Sequence, residues 1–285
     1  MRFGYFPGCS LSGSSRDFGE SVGAVARALE VELVEVPDWN CCGASSAHAT
    51  SPLLAAALPA RVLAKATAAG LDEVVAPCAA CYSRLAMARH EVRENPSLRR
   101  RVEDVIEAPL ETTPRILNVL ELLDRVKDRI APKVKAPFAH TVACYYGCLL
   151  VRPPRVVAFD RPEDPRAMDT LVASVGGKTI EWNFKTECCG AGLSMPKTSI
   201  VATLGGRILA DAVARKADAI VVACPMCHSN LDLRRGAINA ALGAQHQLPV
   251  LFVTQVIGMA LGLPADALGL RRHFVPVRLP QPAAS

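Results

Sequence analysis

The stretch that decides the fold reads DEVVAPCAACYSRL at residues 72–85, and a second copy reads DAIVVACPMCHSNL at residues 218–231. In both copies an acidic residue precedes a mostly apolar run of strand length, and a C-x-x-C-x-S-x-L motif follows directly. Two such stretches predict an internal duplication in which each copy carries a strand that leads into paired cysteines.

The other cysteines extend the duplication over most of the chain. A lone cysteine preceded by glycine, and an adjacent pair followed by Gly-Ala, come before each C-x-x-C motif. Cys148 follows Cys9 by 139 residues, and Cys188 follows Cys41 by 147. The first cysteine set is Cys9, Cys41, Cys42, Cys78 and Cys81, and the second cysteine set is Cys148, Cys188, Cys189, Cys224 and Cys227.

Strand-like and helix-like segments alternate between the cysteines, in the same order in both halves. Strands are expected at residues 3–6, 31–36, 73–76, 141–144, 178–182 and 219–223, and helices at residues 19–29, 52–69, 164–175 and 199–216. This order predicts an α/β fold of two pseudo-symmetric units with mostly parallel sheets. Open α/β sheets bind ligands beyond the carboxyl ends of their strands, so the five thiols of each half are expected to converge there.

The length of 285 residues allows one large domain or two smaller ones. The duplication favours two, a first domain at residues 1–130 and a second at residues 131–285. Residues 99–130 carry dense charge and two helical patterns, and Pro114 is expected to begin a helix.

Composition narrows the class of protein. Apolar residues make up 51% of the chain and charged residues 21%, which describes a folded globular protein. The net charge of +5 is small, and no basic run with interleaved aromatic residues indicates a nucleic-acid surface. The longest apolar run, residues 250–263, is too short to span a bilayer, and the first residues lack a secretory signal. We therefore expect a cytoplasmic protein without a membrane span.

Eleven cysteines in a cytoplasmic protein indicate metal binding, because that compartment keeps ordinary thiols reduced. A structural zinc ion takes four ligands, whereas each half offers five thiols that include an adjacent pair. Neighbouring thiolates suit a multinuclear iron–sulfur centre, in which they can bind different irons. Gly43 and Gly190 follow the pairs and would let backbone amides approach such a centre. Buried thiols or zinc sites that only stabilise the fold are the alternative.

Longer motifs around these cysteines resemble those of the heterodisulfide reductase B-subunit family, whose members carry duplicated CCG domains. They are FPGCSL at residues 6–11, WNCCGA at residues 39–44, YYGCLLVRP at residues 145–153, and the stretch from Gly262-Leu263-Pro264 to Arg272-His273-Phe274. The resemblance covers nearly the whole chain, and all ten matching positions are cysteine. It implies one noncubane [4Fe-4S] cluster on each cysteine set.

The resemblance also implies an activity and partners. In this family two clusters cleave a disulfide in two one-electron steps, and the reverse reaction would oxidise a thiol, a persulfide or carrier-bound sulfur. The implied partners are a ferredoxin protein with cubane [4Fe-4S] clusters, like the C subunits of such complexes, and a flavin-containing protein like their A subunits. The excess of arginine over lysine, 24 to 8, favours the related bacterial sulfur-oxidising complexes over an enzyme that acts on a methanogen's coenzyme disulfide. The second hypothesis is a non-catalytic electron-relay subunit of a multi-subunit dehydrogenase complex.

A few further residues are candidates for substrate chemistry. The candidate proton donors are His48 and His228, and the candidate contacts to a substrate carboxylate or phosphate are Arg152 and Arg155. For each of these four, a structural or solvent-exposed role is the alternative. Cys144 has no counterpart in the first half, where Tyr5 takes the matching place, and we interpret it as a buried thiol.

Overall fold

Residues 1–44 and 47–281, which the computed structural model describes, form two α/β units in succession along the chain. Each unit is built on a sheet of four parallel strands. The strands of the first sheet are β1 (Arg2–Tyr5), β2 (Glu32–Glu35), β3 (Glu73–Val75) and β4 (Arg115–Leu117). The strands of the second sheet are β5 (Thr141–Tyr145), β6 (Lys178–Thr179), β7 (Ala219–Val222) and β8 (Val250–Phe252).

Helices alternate with the strands, because parallel strands need crossover connections. The first unit contains α1 (Gly8–Ser12), α2 (Arg16–Ala28), α3 (Ala47–Thr50), α4 (Pro52–Ala68), α5 (Ala79–Glu94), α6 (Pro96–Ile106) and α7 (Val119–Arg125). The second contains α8 (Ala167–Ser174), α9 (Thr198–Ala214), α10 (Pro225–Leu231), α11 (Arg235–Leu242) and α12 (Val253–Ala260). Short 3-10 turns occur at Lys127–Arg129, Ala131–Lys133, Ala191–Ser194 and Leu270–Arg272.

The α/β fold with parallel sheets confirms the prediction from the alternating pattern. The predicted strands and helices are present with shifts at their ends, and the helix expected at residues 164–175 begins later, at Ala167. All four residues of β7 are buried, as is typical of a central parallel strand that is covered on both faces.

The expectation that Pro114 begins a helix is wrong, because β4 begins directly after it. Proline lacks a backbone N–H, which suits the start of an edge strand, and β4 lies at the edge of its sheet. The helix begins further on, where Asn118 caps α7. The Asn118 side chain accepts a hydrogen bond from the backbone N–H of Glu121, and the Glu121 carboxylate accepts one from the N–H of Asn118.

The order of the strands places a crevice at the same point in both sheets. The order is β2-β1-β3-β4 in the first sheet and β6-β5-β7-β8 in the second. The connections therefore leave β1 and β3, and likewise β5 and β7, in opposite directions, and ligands of open α/β sheets bind at such a switch point. Tyr5 pairs with Val75 and Tyr145 with Val222, so the central strands end level with each other. The segments that follow them meet at one place in each unit.

The two units pack against each other through two pairs of helices that are equivalent in the repeat. Helix α2 packs on α12, and α8 packs on α7, which is the exchange that a pseudo-two-fold axis produces. The rings of Phe18 and Phe252 stack across this contact with their centroids 4.1 Å apart. The buried hydroxyl oxygens of Ser21 and Thr254 lie 2.7 Å apart. One sheet precedes residue 130 and the other follows it, and the domain boundary near that residue stays a prediction.

Candidate metal centres

Each cysteine set divides into three buried thiols and two outer thiols. The buried thiols are Cys42, Cys78 and Cys81 in the first set and Cys189, Cys224 and Cys227 in the second. The outer thiols are the exposed Cys9 and Cys41 in the first set, and the half-buried Cys148 and the exposed Cys188 in the second. Corresponding cysteines of the two sets therefore have similar burial in the two units.

Local structure brings the cysteines to the crevice. Cys9 lies in α1, shortly after the end of β1, and Cys78 is the residue before α5, shortly after the end of β3. The second unit repeats this, with Cys148 after β5 and Cys224 directly before α10. Both central strands of each sheet thus deliver a cysteine to the switch point.

The sulfur atoms of each set lie close enough to share a metal. The Sγ atoms of Cys42 and Cys81 are 3.3 Å apart, and those of Cys189 and Cys227 are 3.7 Å apart. All of these cysteines are free thiols. Two sulfurs that bind one metal at about 2.3 Å must lie within about 4.6 Å of each other. One pair of inner thiols satisfies that requirement in each unit.

The outer thiols belong to the same groups. Burial raises the pKa of Cys9, and the nearby Cys41 and other thiols of its set raise it further. Burial raises the pKa of Cys148 to about 12, again with contributions from Cys188 and other thiols of its own set. Such contributions require short distances, so the structure brings together all five thiols in each unit.

Hydrogen bonds within each set favour the thiolate form of some cysteines and raise the pKa of their partners Cys81 and Cys227. The hydrogen bond from Cys227 lowers the pKa of Cys189 to about 6, and the one from Cys81 lowers the pKa of Cys78 to about 7. An ordinary cysteine has a pKa of about 8.5. The thiolate is the form that binds metal, so Cys78 and Cys189 are the thiols whose surroundings favour that form.

A glycine lies against an inner sulfur in each unit. Gly8 and Gly147 precede the first cysteine of each set and have φ values of +61° and +67°. A Cβ atom would lie 3.0 Å from Cys81 Sγ at Gly8 and 2.8 Å from Cys227 Sγ at Gly147. The left-handed backbone and the close approach both require glycine, which explains the Gly-Cys dipeptide of the repeat.

The glycine after each adjacent pair directs its amide towards the pair. The N–H of Gly43 donates to Cys41 Sγ at 3.4 Å, and the N–H of Gly190 donates to Cys188 Sγ at 3.3 Å. A hydrogen bond of this kind stabilises the negatively charged sulfur. The backbone amides therefore approach the thiols in the way that the position of these glycines predicts.

The sequence signature of the CCG cysteine-rich domain matches the chain twice, at residues 3–86 and at residues 142–232. Each match contains all five cysteines of one set. This chain belongs to the CCG cysteine-rich domain family. The duplication of the cysteine pattern is thus a duplication of the CCG domain.

Two relatives are similar to this CCG protein over almost their whole length. The 8-methylmenaquinol:fumarate reductase membrane anchor subunit of Wolinella succinogenes is 30% identical over 281 residues, which cover 96% of each chain. The B subunit of the ferredoxin/F(420)H(2)-dependent CoB-CoM heterodisulfide reductase of Methanosarcina acetivorans is 27% identical over 278 residues, which cover 95% of this chain and 92% of that one. The resemblance to the B subunit of heterodisulfide reductase is therefore confirmed. Among residues 1–44 and 47–281, no helix combines the length and apolar character needed to cross a membrane.

A crystal structure of a hypothetical protein from Helicobacter pylori has the same fold as this CCG protein, with a TM-score of 0.79 at 14% sequence identity. The match covers 97% of this chain and 52% of that one, so this chain spans about half of that protein's length. At this identity the likeness concerns the fold alone.

The two CCG sites differ at one position of their shared motif. Arg84 and Asn230 occupy the same place in the C-x-x-C-x-S-x-L motif. Asn230 is fully buried and its Nδ2 donates to Cys189 Sγ at 3.3 Å. In the first unit the hydrogen bond from Cys81 lowers the pKa of Cys42, and the positive charge of Arg84 lowers it further. The first site therefore has a cation where the second has a neutral hydrogen-bond donor.

The two candidate proton donors differ in how far their surroundings are known. The side chain of His48 lies outside the part of the chain that the structure describes. The His228 ring is buried, and its Nε2 lies 3.2 Å from the carbonyl oxygen of Val250 and 3.4 Å from Nδ1 of His273. Burial lowers the pKa of His228 well below its usual range, so the ring is neutral at pH 7. Proton donation by these histidines stays a prediction.

The candidate substrate contacts lie near the surface, beyond Cys148. The guanidinium of Arg152 pairs with the Glu163 carboxylate at 2.8 Å, and Arg155 is exposed. Substrate binding by these two arginines stays a prediction. Cys144 lies in β5 and is fully buried, as predicted, and burial raises the pKa of its thiol well above the usual range.

Sequence reasoning missed two features of the sites. The difference between Arg84 and Asn230 is visible when the two motifs are aligned, although its effect on the buried cysteines is not. A buried group of Asp17, His228 and His273, whose ligand atoms lie within 4.8 Å of one another, joins residues of the two units, and His228 directly follows Cys227. No local pattern predicts this group, because its members are far apart in the sequence. Gln255 Nε2 lies 2.8 Å from His273 Nε2, whereas Asp17 Oδ2 lies 3.8 Å from the same nitrogen, beyond hydrogen-bond distance.

We expect Gly147→Ala to destabilise the protein more than Gly70→Ala. The two glycines have φ values of +67° and +66°, so the left-handed backbone costs roughly 1–2 kcal/mol in both variants. A Cβ at Gly70 meets no atom within 4 Å, whereas one at Gly147 presses against Cys227 Sγ. Urea unfolding of both variants measures the difference in the free energy of unfolding. Equal losses would contradict the close approach of this backbone to the inner sulfur.

Proposed function

We propose that this chain is the iron–sulfur catalytic subunit of an oxidoreductase complex that acts on sulfur groups. Each cysteine set binds one noncubane [4Fe-4S] cluster, one in the domain at residues 1–130 and one in the domain at residues 131–285. The protein reduces a disulfide, or in reverse oxidises a thiol, a persulfide or carrier-bound sulfur, in two one-electron steps. The observation that carries the proposal is the convergence of five free thiols at the switch point of each sheet.

The donor set suits a cluster better than a single ion. A zinc ion takes four ligands, and each unit offers five thiols with an adjacent pair. Several thiols already have lowered pKa values because of hydrogen bonds within the set, and the glycine before the first cysteine leaves room for a neighbouring sulfur that a Cβ would fill. Thiolate ligands are what iron–sulfur clusters require.

The residues of the chain have distinct tasks in this proposal. When bound, the clusters supply the one-electron transfers. The backbone amides of Gly43 and Gly190 and the side-chain amide of Asn230 donate to ligand sulfurs and so stabilise negative charge at the sites. The outer thiols put one side of each site within reach of a substrate or partner. His48 and His228 are the proposed proton donors, and His228 would have to gain its proton against the effect of its burial. Arg152 and Arg155 are the proposed substrate contacts.

The names of the relatives support a place in a multi-subunit complex. One relative is the B subunit of a heterodisulfide reductase, and the other belongs to a fumarate reductase. We propose two partners of this chain, a ferredoxin protein of the C-subunit type with cubane [4Fe-4S] clusters and a flavin-containing protein of the A-subunit type. We further propose that the complex is cytoplasmic and that its substrate is a small sulfur compound or a carrier protein.

An electron-relay role is the second candidate function, and one observation favours it. The relative from Wolinella succinogenes carries a name that refers to a quinol and fumarate, neither of which is a disulfide. In a relay, the paired sites would pass electrons between the partners of this chain and bind no sulfur substrate. The same ten cysteines would hold the same clusters.

We expect Cys41→Ala and Cys188→Ala each to lose about half of the iron and acid-labile sulfide of the anaerobically purified protein. Each substitution removes a ligand from one set and leaves the other set intact. Cys144→Ala is the matched control and should keep the full content, because Cys144 is a buried cysteine of neither set. Iron content equal to wild type in both ligand variants would contradict both sites, and zinc without iron would indicate a zinc-stabilised scaffold.

We expect the two clusters to respond separately to changes at the Arg84 and Asn230 position. Arg84→Met should lower the reduction potential of the first cluster, because a nearby positive charge stabilises the more negative reduced state. Asn230→Leu should lower the potential of the second cluster, because a hydrogen bond to Cys189 is lost. Redox titration followed by EPR measures both potentials, and each variant is the control for the other. If either variant shifted the reduction potentials of both clusters, the separate assignment would be refuted.

Catalysis and relay differ in their response to a sulfur substrate. If this chain is catalytic, a disulfide or thiol substrate added to the purified complex should change the EPR signal of its clusters, because substrate sulfur comes within reach of the sites. Dithionite-reduced complex without substrate is the reference. A complex that transfers electrons between its partners while no sulfur compound changes the signal would favour the relay.

A further inference from the structure

A cavity of about 300 Å³ lies where the edge of the first sheet meets the second unit. Its floor is formed by α5 and by the edge strand β4, and its opposite wall by Val156 and Ala158 of the loop that follows Cys148. Tyr82, the neighbour of Cys81, lines its inner end. The cavity therefore lies beside chain segments that lead from both cysteine sets, although no thiol lines it.

One stripe of α5 supplies most of the polar lining. Tyr82, Ala86, Arg89, His90 and Arg93 follow the spacing of one helix face and all border the cavity. Tyr82 is buried, Arg89 and His90 are half-buried, and Arg93 is exposed at the rim. The lining thus passes from a buried aromatic ring to charged groups.

Three guanidinium groups converge on this cavity without enough negative charge to balance them. Arg89, Arg93 and Arg115 all line it. Burial lowers the pKa of Arg89, and the positive charges of Arg93 and Arg115 lower it further, which places the three cations near one another. Among residues 1–44 and 47–281, neither Arg89 nor Arg93 has a hydrogen-bond or ion-pair partner, and the Nε of Arg89 is buried. Arg93 is exposed to water, whereas a buried donor without a partner, such as Arg89 Nε, is costly unless a ligand satisfies it.

The two carboxylates at the cavity do not neutralise these cations. Glu121 caps α7 by accepting from the backbone N–H of Asn118, and its contact with Arg115 is long, at 3.4 Å. Glu94 lies exposed at the end of α5 and makes no ion pair with a described residue. Arg89 and Arg93 therefore keep donors available for an external anion.

We propose that this cavity binds a small molecule with two or more anionic oxygens, of the phosphate or carboxylate class. Guanidinium groups bind both classes of oxyanion through paired N–H donors. The volume is that of a small-molecule site, and the lining from two units encloses a ligand more than a flat surface would. The ligand would bridge the two units, with α5 of the first unit on one side and the loop at Val156 and Ala158 on the other. The site does not depend on the clusters and goes beyond the proposed function.

Isothermal titration of the anaerobically purified full-length protein with pyrophosphate and, separately, with citrate tests the proposal. We expect saturable binding of at least one probe, weakened about tenfold by Arg89→Met and by Arg93→Met, since each removes a charged hydrogen-bond donor. Ala158→Phe should weaken binding without changing the charge, because the ring fills the cavity. Arg101→Met is the matched control on the exposed surface of α6 and should bind like wild type.

The pyrophosphate and citrate arms distinguish a phosphate ligand from a carboxylate ligand. Binding that Arg101→Met weakens as much as Arg93→Met would overturn the proposal, since general surface charge would then explain it. Failure of both probes to bind in the millimolar range would also overturn it. Hexaglutamate is the third probe, and its binding in the absence of binding by both small anions would assign the cavity to an acidic protein segment instead. The circular dichroism spectrum of Arg89→Met checks that this half-buried substitution leaves the fold intact, and Arg93→Met and Ala158→Phe test the site independently of it.

Discussion

The arrangement of the central strands is the constraint on which both sites depend. In each sheet the connections leave the two central strands in opposite directions, so a crevice opens at their carboxyl ends. A cysteine follows each of these strands, and the adjacent pair reaches the same crevice from the neighbouring edge strand. The inner thiols are buried there, and a glycine without Cβ allows the backbone to approach them. Parallel topology therefore gathers thiols that are far apart in the chain.

Duplication gives two similar sites, and packing and substitution make them unequal. Helices α2 and α12, and α8 and α7, hold the units in a pseudo-symmetric pair. Within that pair, Arg84 places a cation beside one buried thiol, whereas Asn230 donates a neutral hydrogen bond to its counterpart. Two redox centres with different surroundings would accept electrons in a defined order, because charge and hydrogen bonding at sulfur set their potentials.

Much of this could be predicted from the sequence, and the rest depended on contacts between distant residues. Repeated cysteine spacing and alternating apolar runs were sufficient for the α/β class, the duplication and the five thiols of each site. Strand β4 was missed because it follows a densely charged stretch in which Pro114 was taken as a helix start, and β8 was missed because it runs directly into the apolar helix α12. The stacking of Phe18 on Phe252 and the 3.8 Å approach of Asp17 to His273 join different units and have no local signal. The cavity beside the arginines of α5 has no local signal either, because β4 and the loop at Val156 that border it are far from α5 in the sequence.

Anaerobic alkylation of the iron-loaded protein, with mass mapping of each cysteine, tests the proposed five-thiolate sites most directly. Cys9, Cys41 and Cys188 are exposed in the fold, so only bound metal can protect them. We predict that all ten cysteines of the two sets resist iodoacetamide until iron is chelated, and that Cys144 resists it until the protein unfolds. Rapid alkylation of one cysteine per set in the iron-loaded protein would contradict this account, because four thiols would then be sufficient to hold the metal.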